Sequence, residues 1–156
     1  MNVQEFLTGR RVAYDAISHR ATYGSQRLAR MLHVPGRDVA KTVLLRVDRG
    51  STYLVCVLPA TKTVDLQKVS AALGGCQAEL ATEVEIMRHC PDCESGTLPP
   101  FGSQYGMKTL VEQSLVYDNE IVFEGNSHRE AIRMRYQDFQ AIEQPLVASF
   151  AVRLPS

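Results

Sequence analysis

The stretch of the sequence best suited to contact a ligand is the proline- and glycine-rich segment of residues 93–102. Pro99 and Pro100 fix φ and remove two backbone donors, whereas Gly96 and Gly102 allow the chain to bend and to approach a ligand closely. Such a loop presents carbonyl and N–H groups in a rigid frame. From these residues alone, a stiff surface turn is the alternative interpretation, because Pro/Gly clusters mark loops in general.

Lys41 is a second candidate, because it is a cation that stands between apolar stretches. It follows Val39 and Ala40 and comes immediately before a predicted core strand of residues 43–47. Its ammonium is therefore expected at a strand end, where it could donate to a phosphate or carbonyl oxygen. The alternative is a strand-end lysine that extends into water.

The cysteines and histidines offer a weaker case for chemistry. Residues 90–93 form a C-x-x-C motif beside His89, but a structural zinc site needs four ligands, and Cys56 and Cys76 provide no second pair. We therefore expect no metal and no cofactor. His128 follows a Gly-Asn turn and is the best histidine candidate, as a donor in the wall of a pocket or as a weak base.

Composition is that of an ordinary globular protein. The chain has 156 residues, 45% of them apolar and 22% charged, which predicts one domain spanning residues 1–156. It contains no apolar run long enough to span a membrane and no layout typical of a signal peptide, so we expect a cytoplasmic protein with reduced cysteines and no membrane partner.

The distribution of charge is uneven although the formal net charge is zero. A neutral chain argues against a general, charge-driven DNA or RNA binder. Residues 1–50, however, contain nine Lys/Arg and four Asp/Glu. Arg27 and Arg30 lie one turn apart on a predicted helix, where they could contact phosphates or could simply form a solvated helix face.

The predicted elements include more strands than helices and show no regular βαβ alternation. This pattern indicates an α+β fold with a mixed or strongly curved sheet. Predicted helices cover residues 3–8, 25–33, 66–73, 83–89 and 136–142. Predicted strands cover residues 12–17, 43–47, 52–58, 78–81, 108–111, 115–117, 120–123 and 131–134, with 146–152 as a strand or short helix.

Several segments together resemble the YbaK and prolyl-tRNA-synthetase editing-domain family. The similar segments are residues 39–45 (VAKTVLL), 58–60 (LPA) with 64–66 (VDL), and 96–102 (GTLPPFG), in the family's order and spacing. Residues 17–23, 115–118 and 125–128 resemble flanking segments of that family, so that the resemblance covers about residues 10–150.

The resemblance implies a YbaK-like fold, with a barrel-like curved sheet surrounded by helices, and hydrolysis of the ester that links a wrong amino acid to tRNA. It implies a free-standing domain, because no synthetase body is attached, with mischarged tRNA as partner and an aminoacyl-tRNA synthetase as a further candidate partner. Lys41 matches the family's critical lysine, and residues 96–100 match its G-x-x-x-P loop. Water would attack without a protein nucleophile, helped by the neighbouring ribose hydroxyl.

The candidate site residues follow from the resemblance and from the chemistry above. The catalytic candidates are Lys41, Gly96 and His128, and Arg27 and Arg30 are candidates for binding tRNA. The substrate-binding candidates are Thr42, Thr97, Pro99, Pro100, Phe101, Gly102 and Gly125.

Two other functions stay open at this point, namely a non-catalytic tRNA- or aminoacyl-binding module and a metal-stabilised interaction domain that uses Cys90 and Cys93. The identity of the amino acid is not predicted. Pro99-Pro100-Phe101 differs from the Ser-Pro-Ile form of the YbaK branch. The cysteinyl preference of that branch is therefore not transferred to this chain.

Overall fold

Helices and strands are mixed along the chain in a computed structural model that describes residues 2–154. Its five α-helices are α1 (Val3–Gly9), α2 (Ser25–Leu32), α3 (Leu66–Ala72), α4 (Glu83–His89) and α5 (Tyr136–Glu143). Its ten strands are β1 (Asp15–Ser18), β2 (Ala40–Val47), β3 (Thr52–Pro59), β4 (Lys62–Val64), β5 (Ala78–Leu80), β6 (Lys108–Glu112), β7 (Glu120–Glu124), β8 (Glu130–Arg135), β9 (Leu146–Ala148) and β10 (Ala151–Arg153). Short 3-10 helices cover Gly36–Asp38, Gly102–Tyr105 and Gln113–Tyr117.

The strands belong to three sheets. The largest has the order β5-β2-β3-β6-β9, and it is mixed because β2 and β3 are antiparallel whereas β6 runs parallel to both β3 and β9. A second sheet has the order β1-β8-β7, and β10 pairs with β4. The expected α+β class with a mixed sheet is confirmed. The barrel-like curvature stays a prediction, since the strands of residues 2–154 divide among three sheets.

Local sequence signals explain where several elements begin. Thr82 and Glu85 form a reciprocal capping box at the start of α4, as predicted, and the Asp65 carboxylate accepts from two N–H groups in the first turn of α3. The β2–β3 hairpin is also confirmed, in a register that pairs Ala40 with Pro59 and Val47 with Thr52.

Two predictions about the elements need correction, and one strand was missed. Lys41 does not precede the strand. It is the second residue of β2 and pairs with Leu58, because the ladder between β2 and β3 already begins at the pair Ala40 and Pro59. Residues 115–117 are not a strand but part of a 3-10 helix, whose first turn is capped by the Glu112 carboxylate at 2.8 Å from the Ser114 nitrogen. Strand β4 was not predicted, and it forms by pairing with the distant β10.

The core that supports the 96–102 loop is aromatic. The Phe101 ring is fully buried, with its centroid 5.2 Å from that of Phe6, 5.7 Å from that of Phe123 and 5.4 Å from that of Phe139. Such ring contacts add to the stabilisation from burial alone. The loop is thus anchored in the interior between α1, β7 and α5. In residues 2–154, no helix has both the length and the apolar character that crossing a bilayer requires.

Gly102 ends the loop where the backbone passes too close for any side chain. A Cβ atom at this position would lie 2.5 Å from the Thr109 hydroxyl, 2.7 Å from the Met107 carbonyl oxygen and 2.9 Å from that of Lys108. The Gly102 nitrogen also donates to the Thr109 hydroxyl at 2.9 Å. Glycine here therefore fixes the distance between the loop and the start of β6.

We predict that Gly102→Ala lowers the free energy of unfolding by about 1–3 kcal/mol, the usual cost of overpacking. Equilibrium urea denaturation measures this change. Gly9→Ala is the matched control, because a Cβ at Gly9 meets nothing within 4 Å and alanine favours helix, so its free energy of unfolding should be equal or higher. Equal stability of Gly102→Ala and the wild type would show that the backbone yields at this point.

Candidate active site

Some of the residues that the sequence singled out line a pocket of about 190 Å³ between the start of β2, the start of α2 and the 96–102 loop. We call it the Lys41 pocket. Its walls are formed by Ser25, Leu28, Val39, Ala40, Lys41, Thr42, Gly96, Leu98 and Glu124. Of the predicted catalytic and substrate-binding residues, Lys41, Thr42 and Gly96 line it directly.

Lys41 presents an unpaired cation to the pocket. The residue is half-buried, and burial lowers the pKa of its ammonium from the ordinary lysine value. Within residues 2–154, no carboxylate lies within 4.0 Å of its nitrogen and no hydrogen bond holds it. The Thr42 hydroxyl beside it is buried and likewise has no hydrogen-bond partner among these residues. Two polar groups of β2 are thus available to a ligand.

The 96–102 loop contributes its first residues to the pocket and its later residues to the core. Gly96 is in the left-handed region with φ +83°, and it forms the wall together with Leu98. Thr97 is buried and donates to the Glu94 carbonyl at 2.7 Å. The other candidates that lie behind the wall and do not line the pocket are Pro99, Pro100, Phe101 and Gly102, all buried.

His128 lies behind the wall and contacts it from outside the pocket. Its Nε2 donates to the Ser95 carbonyl at 2.6 Å, which leaves Nδ1 as the unprotonated nitrogen of the neutral ring. Its Cε1 lies 3.7 Å from where a Cβ on Gly96 would be, and its ring is 4.4 Å from the Tyr23 ring. His128 therefore supports the Gly96 backbone.

Gly125 is also buried and lies outside the lining. Its N–H donates to the Glu130 carbonyl at 2.9 Å, and a Cβ here would lie 3.2 Å from the Ile132 side chain. The residue belongs to the turn between β7 and β8, which follows Glu124 directly and carries His128. Its close packing fixes where those two side chains emerge.

Glu124 is the pocket residue that the sequence did not reveal. It is the last residue of β7 and is buried, and its Oε2 is 3.6 Å from the His128 Nδ1 without any hydrogen bond. Burial, together with the negative charge of Glu94, raises the pKa of Glu124 to about 7. The one sequence signal is its place, directly before the Gly-Asn turn and four residues before His128.

A basic surface adjoins the Lys41 pocket. We call it the arginine groove, a depression of about 410 Å³ lined by Tyr23, Gly24, Ser25, Gln26, Arg27, Arg30, Lys41, Ala60 and Leu154. The side chains of Arg27 and Arg30 are exposed, as predicted for that face of α2, and neither has an ion-pair partner in residues 2–154. Lys41 borders both cavities, so the groove leads into the pocket.

The C-x-x-C residues belong to the support of the loop. Cys90 is buried, and the Cys93 sulfur lies 3.4 Å from the Tyr105 hydroxyl and accepts from the Asn126 amide at 3.2 Å. Burial raises the pKa of both thiols, that of Cys90 to about 12. No group of three or more His, Cys, Asp or Glu in residues 2–154 is arranged to hold a metal ion.

Comparison with known proteins shows the same architecture elsewhere. The chain is 23% identical over 141 residues to the multifunctional Ser/Thr-tRNA deacylase ProXp-y of Escherichia coli, covering 88% of this chain and 83% of that protein. The solved structure of the hypothetical protein APE2540 superposes with a TM-score of 0.87 at 17% identity, covering 96% of this chain and 99% of the other. A candidate trans-editing enzyme for prolyl tRNA synthetase superposes with a TM-score of 0.83 at 19% identity, covering 96% of this chain and 94% of the other.

These structural similarities concern the fold alone. The sequence profile of the aminoacyl-tRNA editing domain, by contrast, matches residues 19–142, most of the chain. The profile match spans the strand that carries Lys41, the 96–102 loop, Glu124 at the end of β7 and the following turn with His128. The protein belongs to the aminoacyl-tRNA editing domain family.

Proposed function

We propose that this protein is an aminoacyl-tRNA deacylase that hydrolyses the ester bond of mischarged tRNA in trans. The observation that carries the proposal is the unpaired Lys41 ammonium, which borders both a small pocket and an exposed basic groove. Family membership and the similarity to the Escherichia coli deacylase support it. The pocket would hold the aminoacyl group, and the groove would hold the end of the tRNA.

The size of the Lys41 pocket favours a small aminoacyl group. Its volume of about 190 Å³ is below the roughly 300–1,000 Å³ typical of small-molecule sites. Leu28, Val39 and Leu98 supply apolar walls, and the Thr42 hydroxyl supplies a free polar group. Alanyl, seryl and threonyl esters are therefore the substrates to test first.

The chemistry that we propose relies on positioning and electrostatics. A water molecule attacks the ester carbonyl carbon, the carbon–oxygen bond to the ribose breaks, and the ribose oxygen takes a proton as the amino acid leaves. Lys41 would stabilise the negative charge that develops on the carbonyl oxygen, an effect whose removal typically lowers kcat about 10²–10³-fold. The ribose hydroxyl beside the ester can accept the proton of the attacking water while it passes its own proton to the departing ribose oxygen, so no protein nucleophile is needed.

The roles of Gly96 and His128 differ from that of Lys41. Gly96 would offer its backbone to the substrate, which a residue without a side chain permits. His128 would act as a positioning residue, because its hydrogen bond to Ser95 holds the segment that leads into Gly96. The buried residues from Thr97 to Gly102 would keep this segment rigid.

We predict that Lys41→Ala lowers kcat/KM for aminoacyl-tRNA at least about 100-fold, because a half-buried cation is removed from the reacting ester. The measurement is deacylation of a panel of alanyl-, seryl- and threonyl-tRNAs, with circular dichroism and Tm as the check on folding. Lys68→Ala is the matched control, since Lys68 is exposed on α3 and borders neither cavity.

Retention of most of the wild-type rate by Lys41→Ala would contradict the role of Lys41. Wild-type protein that binds charged tRNA tightly but hydrolyses no ester of a panel covering all amino acids would instead favour the alternative, a non-catalytic binding module. The two outcomes can be told apart, because the first is measured on Lys41→Ala and the second on the wild-type protein.

We predict that replacing Arg27 and Arg30 together by alanine weakens tRNA binding and reduces the slope of log Kd against log salt concentration by about 1–2, as for the loss of two phosphate contacts. Since phosphate contacts position the substrate, the loss of kcat/KM should be greater for intact aminoacyl-tRNA than for an aminoacyl-adenosine. Filter binding at several salt concentrations gives the slope.

The matched control removes the same charge elsewhere. Arg49 and Arg88 are exposed and border neither cavity, so Arg49→Asn with Arg88→Ala should leave the salt slope as in the wild type. Asparagine is chosen because residue 49 has φ +55°. An unaltered slope in the Arg27/Arg30 variant would mean that the protein contacts only the aminoacyl end of the tRNA or receives the tRNA from a synthetase.

A further inference from the structure

Two opposite charges line the Lys41 pocket without neutralising each other. Lys41 contributes an ammonium and Glu124 a carboxyl group, yet their charged atoms are not within 4.0 Å. A half-buried ammonium and a buried carboxyl oxygen without a hydrogen bond both cost the folded protein free energy. A ligand with complementary charges would remove that cost.

No residue of the described range 2–154 donates a hydrogen bond to the buried Oε2 of Glu124. The nearest cation candidate is the His128 ring at 3.6 Å. Nε2 of that ring donates to the Ser95 carbonyl, so in the neutral form of the ring Nδ1 carries a lone pair and donates nothing to the carboxylate. The exposed Glu94 adds negative charge nearby.

We propose that Glu124 binds the α-ammonium group of the aminoacyl ester, so that the pocket accepts esters with a free α-amino group. This inference rests on the proposed function. An aminoacyl ester carries a cation on the carbon next to its carbonyl, and an α-amino group is largely protonated at neutral pH, with an ordinary pKa of about 7.7–8.0. Lys41 repels that cation, whereas Glu124 attracts it.

The two charges then determine the direction in which the substrate lies. The ester oxygen atoms face Lys41, where negative charge develops during hydrolysis, and the ammonium faces Glu124. A carboxylate–ammonium contact of this kind is a charge-assisted hydrogen bond, about twice as strong as one between neutral groups. Acyl-tRNAs with a blocked or replaced α-amino group would lack this contact and leave Glu124 unpaired.

The test compares two esters that differ only at the α-position. Alanyl-tRNA carries an α-ammonium, and lactyl-tRNA carries a hydroxyl of similar size in its place. If alanyl-tRNA is not cleaved, the best of the seryl and threonyl esters is paired with its own α-hydroxy counterpart. The measured quantity is the ratio of kcat/KM for the amino ester to that for the hydroxy ester.

We expect this ratio to be at least 10 in the wild type and to fall at least tenfold, toward one, in Glu124→Gln. A tenfold fall corresponds to about 1.4 kcal/mol at 25 °C. The change should come mainly from a higher KM for the amino ester, because glutamine keeps the size of the side chain but not the negative charge. Glu120→Gln is the matched control, since Glu120 is exposed at the other end of β7 and is not part of the pocket lining, and the ratio for this variant should stay within twofold of the wild type.

Two results would overturn the inference. A general-base role of Glu124 would lower kcat for both esters alike and leave the ratio unchanged. A wild-type ratio near one would contradict it directly, and this measurement does not depend on whether Glu124→Gln folds. If the wild type cleaves neither member of any pair, the proposed function itself fails, which is a different outcome from an unchanged ratio.

Discussion

The geometry of the pocket depends on Asn126, which joins three separate segments at one buried point. Its amide oxygen accepts from the Val3 nitrogen at 2.8 Å, and its amide nitrogen donates to the Cys93 sulfur at 3.2 Å. Its backbone carbonyl accepts from the Glu94 nitrogen at 3.0 Å. The start of α1, the segment before Gly96 and the turn after β7 are thereby held together. Since Gly96 directly follows one of these segments and Glu124 directly precedes another, this connection brings them into one pocket.

In the Lys41 pocket, the fold keeps Lys41 and Glu124 partly out of water without an ion pair between them. Burial lowers the pKa of Lys41 and raises that of Glu124, so both shifts act against the charged form. The apolar residues of β2 and β3 and the aromatic cluster around Phe101 stabilise the backbone that carries these groups. Electrostatic interactions are stronger in such a site than in water, because the local dielectric constant is lower. The same burial that costs stability would therefore strengthen contacts with a charged substrate.

Those parts of the fold that depend on neighbouring residues could be predicted from the sequence. The capping box at Thr82, the Asp65 cap and the β2–β3 hairpin all arise from local hydrogen bonds and alternation, and all are present. Elements that depend on distant partners were missed or misassigned. Strand β4 exists only through its pairing with β10. The Gln113–Tyr117 helix is capped by the buried Glu112 carboxylate, which also accepts from the backbone of Phe150 and Ala151 and lies 3.5 Å from the Lys62 ammonium.

The same distinction applies to the candidate site. Lys41 and Gly96 were singled out because a cation before an apolar run, a glycine in a rigid loop and the family resemblance of both segments are visible in short windows of sequence. Glu124 was not, because a glutamate at a strand end resembles any solvated residue until β7 packs beside the 96–102 loop. Phe101 illustrates the converse, since its place in the motif suggested a substrate contact, whereas its ring lies among three other aromatic rings. The motif therefore combines two physical tasks, a backbone that faces the pocket at Gly96 and an apolar anchor that prevents this backbone from moving.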